Sequence, residues 1–281
     1  MKRVLGFIGS VLLLYFGLLI LLRVFESGLI YFPNFPGRLE GDWRPHGLPV
    51  EDVVLHASDG VKLHAWWIAA PSADFTFVAF HGNASNIANR AEIYEFLRGV
   101  PANVLAVEYR GYGKSEGKPG EAGLYLDAQA AYDYLVKERG VAPARIVPIG
   151  HSLGTAVAAD LASQREVAGL VLEAPFPSAG AVAGKIYPLL PGLGLAIKSK
   201  FNTVKKLSSV RVPVLVIHCA RDPVIPFALG EAVFRAAREP KFFLRIDGSC
   251  HEEGALVAPE IYREKLRQFL SSLRGPKRPS S

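Results

Sequence analysis

Cysteine is nearly absent from this chain: two residues in 281, with no Cys-x-x-Cys pair. That excludes a small domain stapled by many disulfides and supplies no zinc-ligand spacing. Low-complexity tracts are missing too, and charged residues make up 21% against 50% apolar, so disorder is excluded as a description of the whole chain. The 27 glycines and 20 prolines follow no period, which excludes a collagen-like structure. Lys and Arg form no long block. The formal net charge of +6 therefore reads as a solvated surface near an anionic membrane rather than as a nucleic-acid site. No internal repeat is visible, and the length allows one or two domains.

What is present begins at the N-terminus. Lys2 and Arg3 precede Val4 to Leu22, nineteen residues without a charge. At ~1.5 Å per residue this run spans about 28 Å as a helix, close to the hydrocarbon thickness of a bilayer. Arg23 closes it, and Phe25, Tyr31 and Phe32 suit the membrane–water boundary. A cleaved signal peptide would have a shorter apolar core and an Ala-x-Ala-like site, which Arg23 to Ser27 does not provide. The favoured reading is an uncleaved anchor over residues 1–25, and a cleaved signal or a buried soluble helix are the alternatives. Lys2, Arg3 and the terminal amine outweigh Arg23 opposed by Glu26. The N-terminus is then cytoplasmic and the rest of the chain exported to a periplasmic, extracellular or lumenal space.

Residues 26–48, rich in Pro and Gly, read as a connector. Beyond them, alternating runs flank Ser58-Asp59-Gly60, a hairpin signal. Short apolar runs then recur at Thr76 to Phe80, Asn103 to Glu108, Arg145 to Ile149, Gly169 to Leu172, Val212 to Ile217 and Phe242 to Ile246. Most are separated by amphipathic stretches, which predict helices near 91–99, 121–139, 153–164, 227–238 and 258–273. This alternation predicts an α/β fold, a mostly parallel sheet with helices on both faces, over residues 49–273. The stretch at about 178–210, with its prolines, glycines and lysines, reads as a small cap. Residues 274–281 read as a basic tail.

Gly150-His151-Ser152-Leu153-Gly154 joins a predicted strand to an Ala-rich predicted helix. The two glycines let the chain turn sharply and lift the Ser152 hydroxyl above the strand end. Serine is a poor nucleophile by itself, so it requires a base, and the base requires an orienting acid. In a strand–turn–helix arrangement of this kind both follow the serine, on loops after later strands. Asp222 lies 70 residues after Ser152 and His251 lies 99 after it, each just past a predicted strand. Of seven histidines, His46, His56 and His64 precede the serine. His81 and His151 sit in loops beside the site, and His218 ends a strand. Only His251 has both the order and the loop. Glu173, at the end of the preceding strand, rivals Asp222 as the acid. For the developing oxyanion, the backbone amides of Leu153 and Asn83 are the candidate donors, with Gly82 allowing close approach. Asn83-Ala84-Ser85 also matches a glycosylation acceptor, a role that a buried site disfavours.

With these residues in place the chain resembles the α/β-hydrolase superfamily of serine hydrolases. More narrowly, it is similar to membrane-anchored abhydrolase-domain proteins with one N-terminal helix. The resemblance rests on Leu29 to Pro33, Phe80 to Asn86, Glu108 to Ser115, Gly150 to Gly154, Asp222 to Pro226 and Gly248 to His251. It implies a sheet of about eight strands, an esterase or thioesterase reaction on a small-molecule or lipid-like acyl substrate, and no metal or organic cofactor. Relatives with an Asp nucleophile are disfavoured because Ser152 holds that place. Peptidase activity with the same triad, and a non-catalytic binding protein on the same fold, are the other readings. Where the family commonly carries glycine, this chain has Cys219 and Cys250. A Cys219–Cys250 disulfide tying the acid loop to the histidine loop is expected on that ground, and would suit an exported domain. Two small buried thiols are the alternative.

Overall fold

Strand residues of the sheet alternate between two apolar layers, as a period of two requires when both faces are covered. Val78, Leu105, Leu172 and Val216 belong to one buried cluster, while Phe77, Val104, Val171 and Leu215 belong to the other. The computed structural model describes residues 2–33, 35, 44–45, 47–252 and 254–274. Its strands are β1 (Glu51–His56), β2 (Lys62–Ile68), β3 (Phe75–Phe80), β4 (Ala102–Val107), β5 (Ile146–His151), β6 (Leu170–Glu173), β7 (Val214–Cys219) and β8 (Lys241–Ile246). They form one eight-stranded sheet in the order β1-β2-β4-β3-β5-β6-β7-β8. β1 and β2 make the antiparallel hairpin expected around Asp59-Gly60, and β2 runs antiparallel to β4. From β4 to β8 every neighbouring pair is parallel.

The helices are α1 (Lys2–Val24), α2 (Glu26–Ile30), α3 (Ala91–Arg98), α4 (Glu121–Lys137), α5 (Leu153–Gln164), α6 (Ala179–Ile186), α7 (Leu193–Ala196), α8 (Thr203–Leu207), α9 (Phe227–Ala236), α10 (Gly254–Val257) and α11 (Pro259–Leu273). α4, α5, α8 and α9 cover one face, and α3, α10 and α11 cover the other. The crossovers thus bring the C-terminal ends of β3, β5, β7 and β8 to one edge, where the loops of interest sit. Among the described residues α1 is the one helix long and apolar enough to cross a membrane, and none of its residues is buried.

Two features depart from the expectations. Tyr31, expected among aromatics suited to the membrane–water boundary, has its side chain in the core. It is 5% exposed, packed edge-on against Phe201 at 6.4 Å. The segment after α1 turns back onto the domain, where Phe32 bridges to Ala84, and this draws Tyr31 into the core. α8, placed in the cap by its lysines, instead joins the helical layer. Its Thr203 and Leu207 are fully buried, and Lys206 pairs with Asp160 at 3.2 Å over the Tyr125 ring. Long lysine stems bury readily when the ammonium finds a carboxylate, so a basic run need not face water. The expected tail lies outside the described residues beyond Arg274, as does most of the connector after Phe35.

Candidate active site

β5 ends at His151 and α5 begins at Leu153, so one residue carries the whole reversal. That residue, Ser152, has φ 50° and ψ −116°, a region costly for any residue with a side chain. Two flanking glycines make the turn sterically feasible. A Cβ on Gly150 would lie 2.2 Å from the Gly154 carbonyl oxygen, and one on Gly154 would lie 2.1 Å from the Phe80 carbonyl oxygen. Backbone cannot yield to such contacts, so α5 packs this closely on β3 and β5 only with glycine at both positions. The Ser152 amide donates to the Glu173 carbonyl at 2.9 Å, holding the turn to β6.

Asp222 and His251 come from the loops after β7 and β8. His251 Nδ1 donates to Asp222 Oδ2 at 2.8 Å, and the amides of Val224 and Ile225 both donate to Oδ1 at 2.8 Å. The carboxylate is fully inaccessible. Burial alone would raise its pKa, but the hydrogen bonds from His218 and His251, the His251 charge and the Ile225 amide outweigh it. They hold the carboxyl well below the usual range. Glu173, the rival acid, is engaged elsewhere and accepts from the Tyr262 hydroxyl at 2.9 Å.

His251 lies against the elbow. Its carbonyl accepts from His151 Nε2 at 2.9 Å, and the two rings are 4.7 Å apart, edge to face. A carbonyl only accepts, so His151 carries its proton on Nε2. Burial, helped by the charges of His251 and Arg90, pushes the His151 pKa far down and keeps that ring neutral. Cys219, at the end of β7, and Cys250, next to His251, are bonded to each other, with Cα atoms 5.7 Å apart.

The loop after β3 is tied down from several sides. His81 Nε2 meets Glu108 at 3.1 Å, and the Tyr109 hydroxyl donates to the His81 carbonyl at 2.9 Å. The Asn83 carbonyl accepts from the Tyr112 hydroxyl at 2.8 Å and from the Phe32 amide at 2.9 Å, and its side chain donates to the Ile30 carbonyl at 2.8 Å. A Cβ on Gly82 would touch Ser152 Cβ at 3.7 Å, so this loop adjoins the serine. His64 is placed apart and pairs with Asp52 at 2.6 Å, while His218 lies beside the acid, its Nε2 donating to the Ile225 carbonyl at 2.9 Å and lying 3.5 Å from Asp222 Oδ2. His46 lies outside the described residues.

Sequence reasoning missed several supports. Glu26 is buried, and its two oxygens accept from the amides of Lys198 and Ser199 at 2.6 and 2.7 Å. A lone acid after an apolar run carries no signal of that role. Arg90 is likewise buried and pairs with Glu252.

Ser152, Leu153 and Asn83 all line one cavity of about 600 Å³. Its wall is mainly apolar and includes Leu29, Ile30, Phe176, Val182, Leu190 and Phe201. The arrangement suits an apolar group placed beside a serine hydroxyl and backbone donors.

Several known proteins resemble this chain. A family model described as serine aminopeptidase, S33, matches residues 71–202. An uncharacterized Mycobacterium tuberculosis protein, Rv2307c, is 36% identical over 272 residues, covering 96% of this chain and 95% of that protein. Alpha/beta hydrolase domain-containing protein WAV2 of Arabidopsis thaliana is 33% identical, covering 92% of this chain and 91% of its own length. Human alpha/beta hydrolase domain-containing protein 17B is 32% identical, with 79% and 75% covered. Among solved structures, the Pyrococcus furiosus esterase Pf2001 superposes with a TM-score of 0.70 at 26% identity, covering 86% of this chain and 97% of that one. Identity above 30% to alpha/beta hydrolase domain-containing proteins over most of its length means that the chain belongs to the α/β-hydrolase superfamily.

Proposed function

We propose that the protein is a membrane-anchored serine hydrolase that cleaves carboxylic esters through an acyl-enzyme intermediate. The observation that carries this reading is the strained Ser152 in the wall of an apolar cavity, with His251 oriented by a buried carboxylate and bonded to the neighbouring His151. Ser152 Oγ attacks the acyl carbonyl while His251 Nε2 takes its proton. Asp222 holds His251 by Nδ1 and stabilises the imidazolium. The amides of Asn83 and Leu153 donate to the oxyanion. What Asn83 offers the cavity is its backbone N–H, since its carbonyl and side chain bond to Tyr112, Phe32 and Ile30. Collapse of the intermediate breaks the bond to the leaving alcohol, which takes the proton from His251. Water, deprotonated by His251, then releases the acid and restores Ser152.

α1 is the anchor, and the Cys219–Cys250 bond is in keeping with a catalytic domain on the oxidising side. The esterase name of Pf2001 and the apolar cavity support ester cleavage over peptide cleavage. The family model's description favours an aminopeptidase as the second reading. That chemistry needs a carboxylate to hold the substrate's terminal ammonium. Glu26 is the one acid lining the cavity among the described residues, and its oxygens accept from Lys198 and Ser199.

The test is fluorophosphonate labelling of the full chain together with ester turnover. Wild type is expected to be labelled. Ser152→Ala should lose the label and drop in turnover by about 10³-fold or more. Labelling that survives in the variant refutes the assignment.

A further inference from the structure

The cap, several of whose residues line the cavity, also carries an exposed apolar surface. From Ile186 to Ile197 twelve residues run without a charge, bracketed by Lys185 and Lys198. Leu189 among them is 90% exposed, Tyr187 54% and Ile186 43%. An exposed apolar stretch of this kind on a protein in water calls for an occupant.

The position of the stretch relative to α1 says what the occupant is. Arg23 at the end of α1 donates to the Ala196 carbonyl at 2.7 Å, and Tyr15 donates to the Pro191 carbonyl. Tyr15 is eight residues before Arg23, so the cap follows the helix for about 12 Å. With Arg23 at the boundary of a hydrocarbon layer ~30 Å thick, Pro191 lies inside one leaflet. Segments in hydrocarbon need their backbone groups satisfied within the protein. Here two cap carbonyls are met by side chains of α1, and the amides of Leu190 and Leu193 bond to the carbonyls of Tyr187 and Leu190. The flanking Lys185 and Lys198 suit the headgroup layer.

The cavity reaches the same place. Leu22 of α1 and Leu190 of the cap both line it, as does Ser152. We infer that the 186–197 segment is embedded in the leaflet beside α1, and that the acyl cavity opens into the bilayer to receive an amphipathic acyl lipid from it. This rests on the reading of the protein as an anchored serine hydrolase. The acyl chain then moves from lipid to an apolar wall without crossing water, while its ester head arrives at Ser152.

The experiment uses the full chain in phosphatidylcholine vesicles. Leu189→Trp is compared with wild type, which gives the background emission, and with Val54→Trp on β1. Lipids brominated along the acyl chain should quench the added emission of Leu189→Trp at least twofold and leave that of Val54→Trp unchanged. An alkaline carbonate wash is made first. Release of the protein overturns the anchor and with it this inference. Retention with Leu189→Trp quenched by aqueous acrylamide but not by bromolipid overturns the inference alone. In the same vesicles Leu189→Asp should hydrolyse embedded monooleoylglycerol at least tenfold more slowly and p-nitrophenyl acetate within twofold of wild type. Equal effects on both esters overturn the proposed entry route. Failure of wild type on both, or turnover unaffected by Ser152→Ala, overturns the hydrolase reading itself.

Discussion

At Ser152 the main chain sits at φ 50° and ψ −116°, and the surrounding packing keeps it there. Strain of this kind costs ~1–3 kcal/mol and is retained where the side chain is needed. Glycine relaxes it without losing a buried contact of any size. Ser152→Gly is therefore expected to raise stability by about 1 kcal/mol while removing activity, measured by urea midpoint and ester assay. A drop in stability would show that the hydroxyl is held structurally. Asp222 poses the opposite case. With its folded pKa held down, its charge stabilises the fold fully above the unfolded carboxylate range near ~4. That contribution is lost as pH falls through this range toward the folded value. The stability advantage of wild type over Asp222→Asn should thus be full at pH 7 and shrink on going to pH 3 in urea titrations. The same variant should lower kcat by about 10³–10⁴-fold with little change in KM, since Asp222 touches His251 and not the substrate. Order and spacing pointed to Asp222 and His251, and the structure does bring these two together. The engagement of Glu173 with Tyr262, 89 positions away, was not legible, because nothing local to Glu173 indicates that partner.

Among the elements, the loops after β7 and β8 act as one unit. Cys219 and Cys250 are separated by 31 positions, and closing a loop of that size is worth ~3–4 kcal/mol in the chain-entropy account. Replacing both by serine should lower the unfolding free energy by about that amount and loosen the Asp222–His251 alignment, seen as lower kcat under conditions where the variant remains folded. The pairing was expected because both cysteines stand where glycine is common, and the helices and strands were legible from their periods. α2 and its contacts were not. Residues 26–30 lack a helical apolar period of useful length, and they are held by Lys198, Ser199 and Asn83 far along the chain. α8 escaped for the same reason: its lysines look like a solvated run until Asp160 and Tyr125 are placed beside them.

Across the whole molecule the cavity is lined from α1, from the 179–197 segment and from the loops at the sheet's edge, so its specificity is a property of all three. Each methylene moved from water to an apolar wall contributes ~0.8 kcal/mol. Over p-nitrophenyl esters from butanoate to octanoate, kcat/KM should rise by about fourfold or somewhat less per added methylene. A flat series would refute an acyl site in this cavity. The sequence by itself determined the apolar N-terminal helix, the alternation of buried strands with helices, the elbow at Ser152 and the order serine, acid, histidine. Each depends on side-chain period or on residues adjacent in the chain. Tertiary structure alone decided that Tyr31 is core, that Glu26 clamps a segment 172 positions away, and that the cap lies along α1. Such pairings arise from the sum of many weak contacts once the sheet order is set, and no local pattern encodes which distant carbonyl a given side chain will meet.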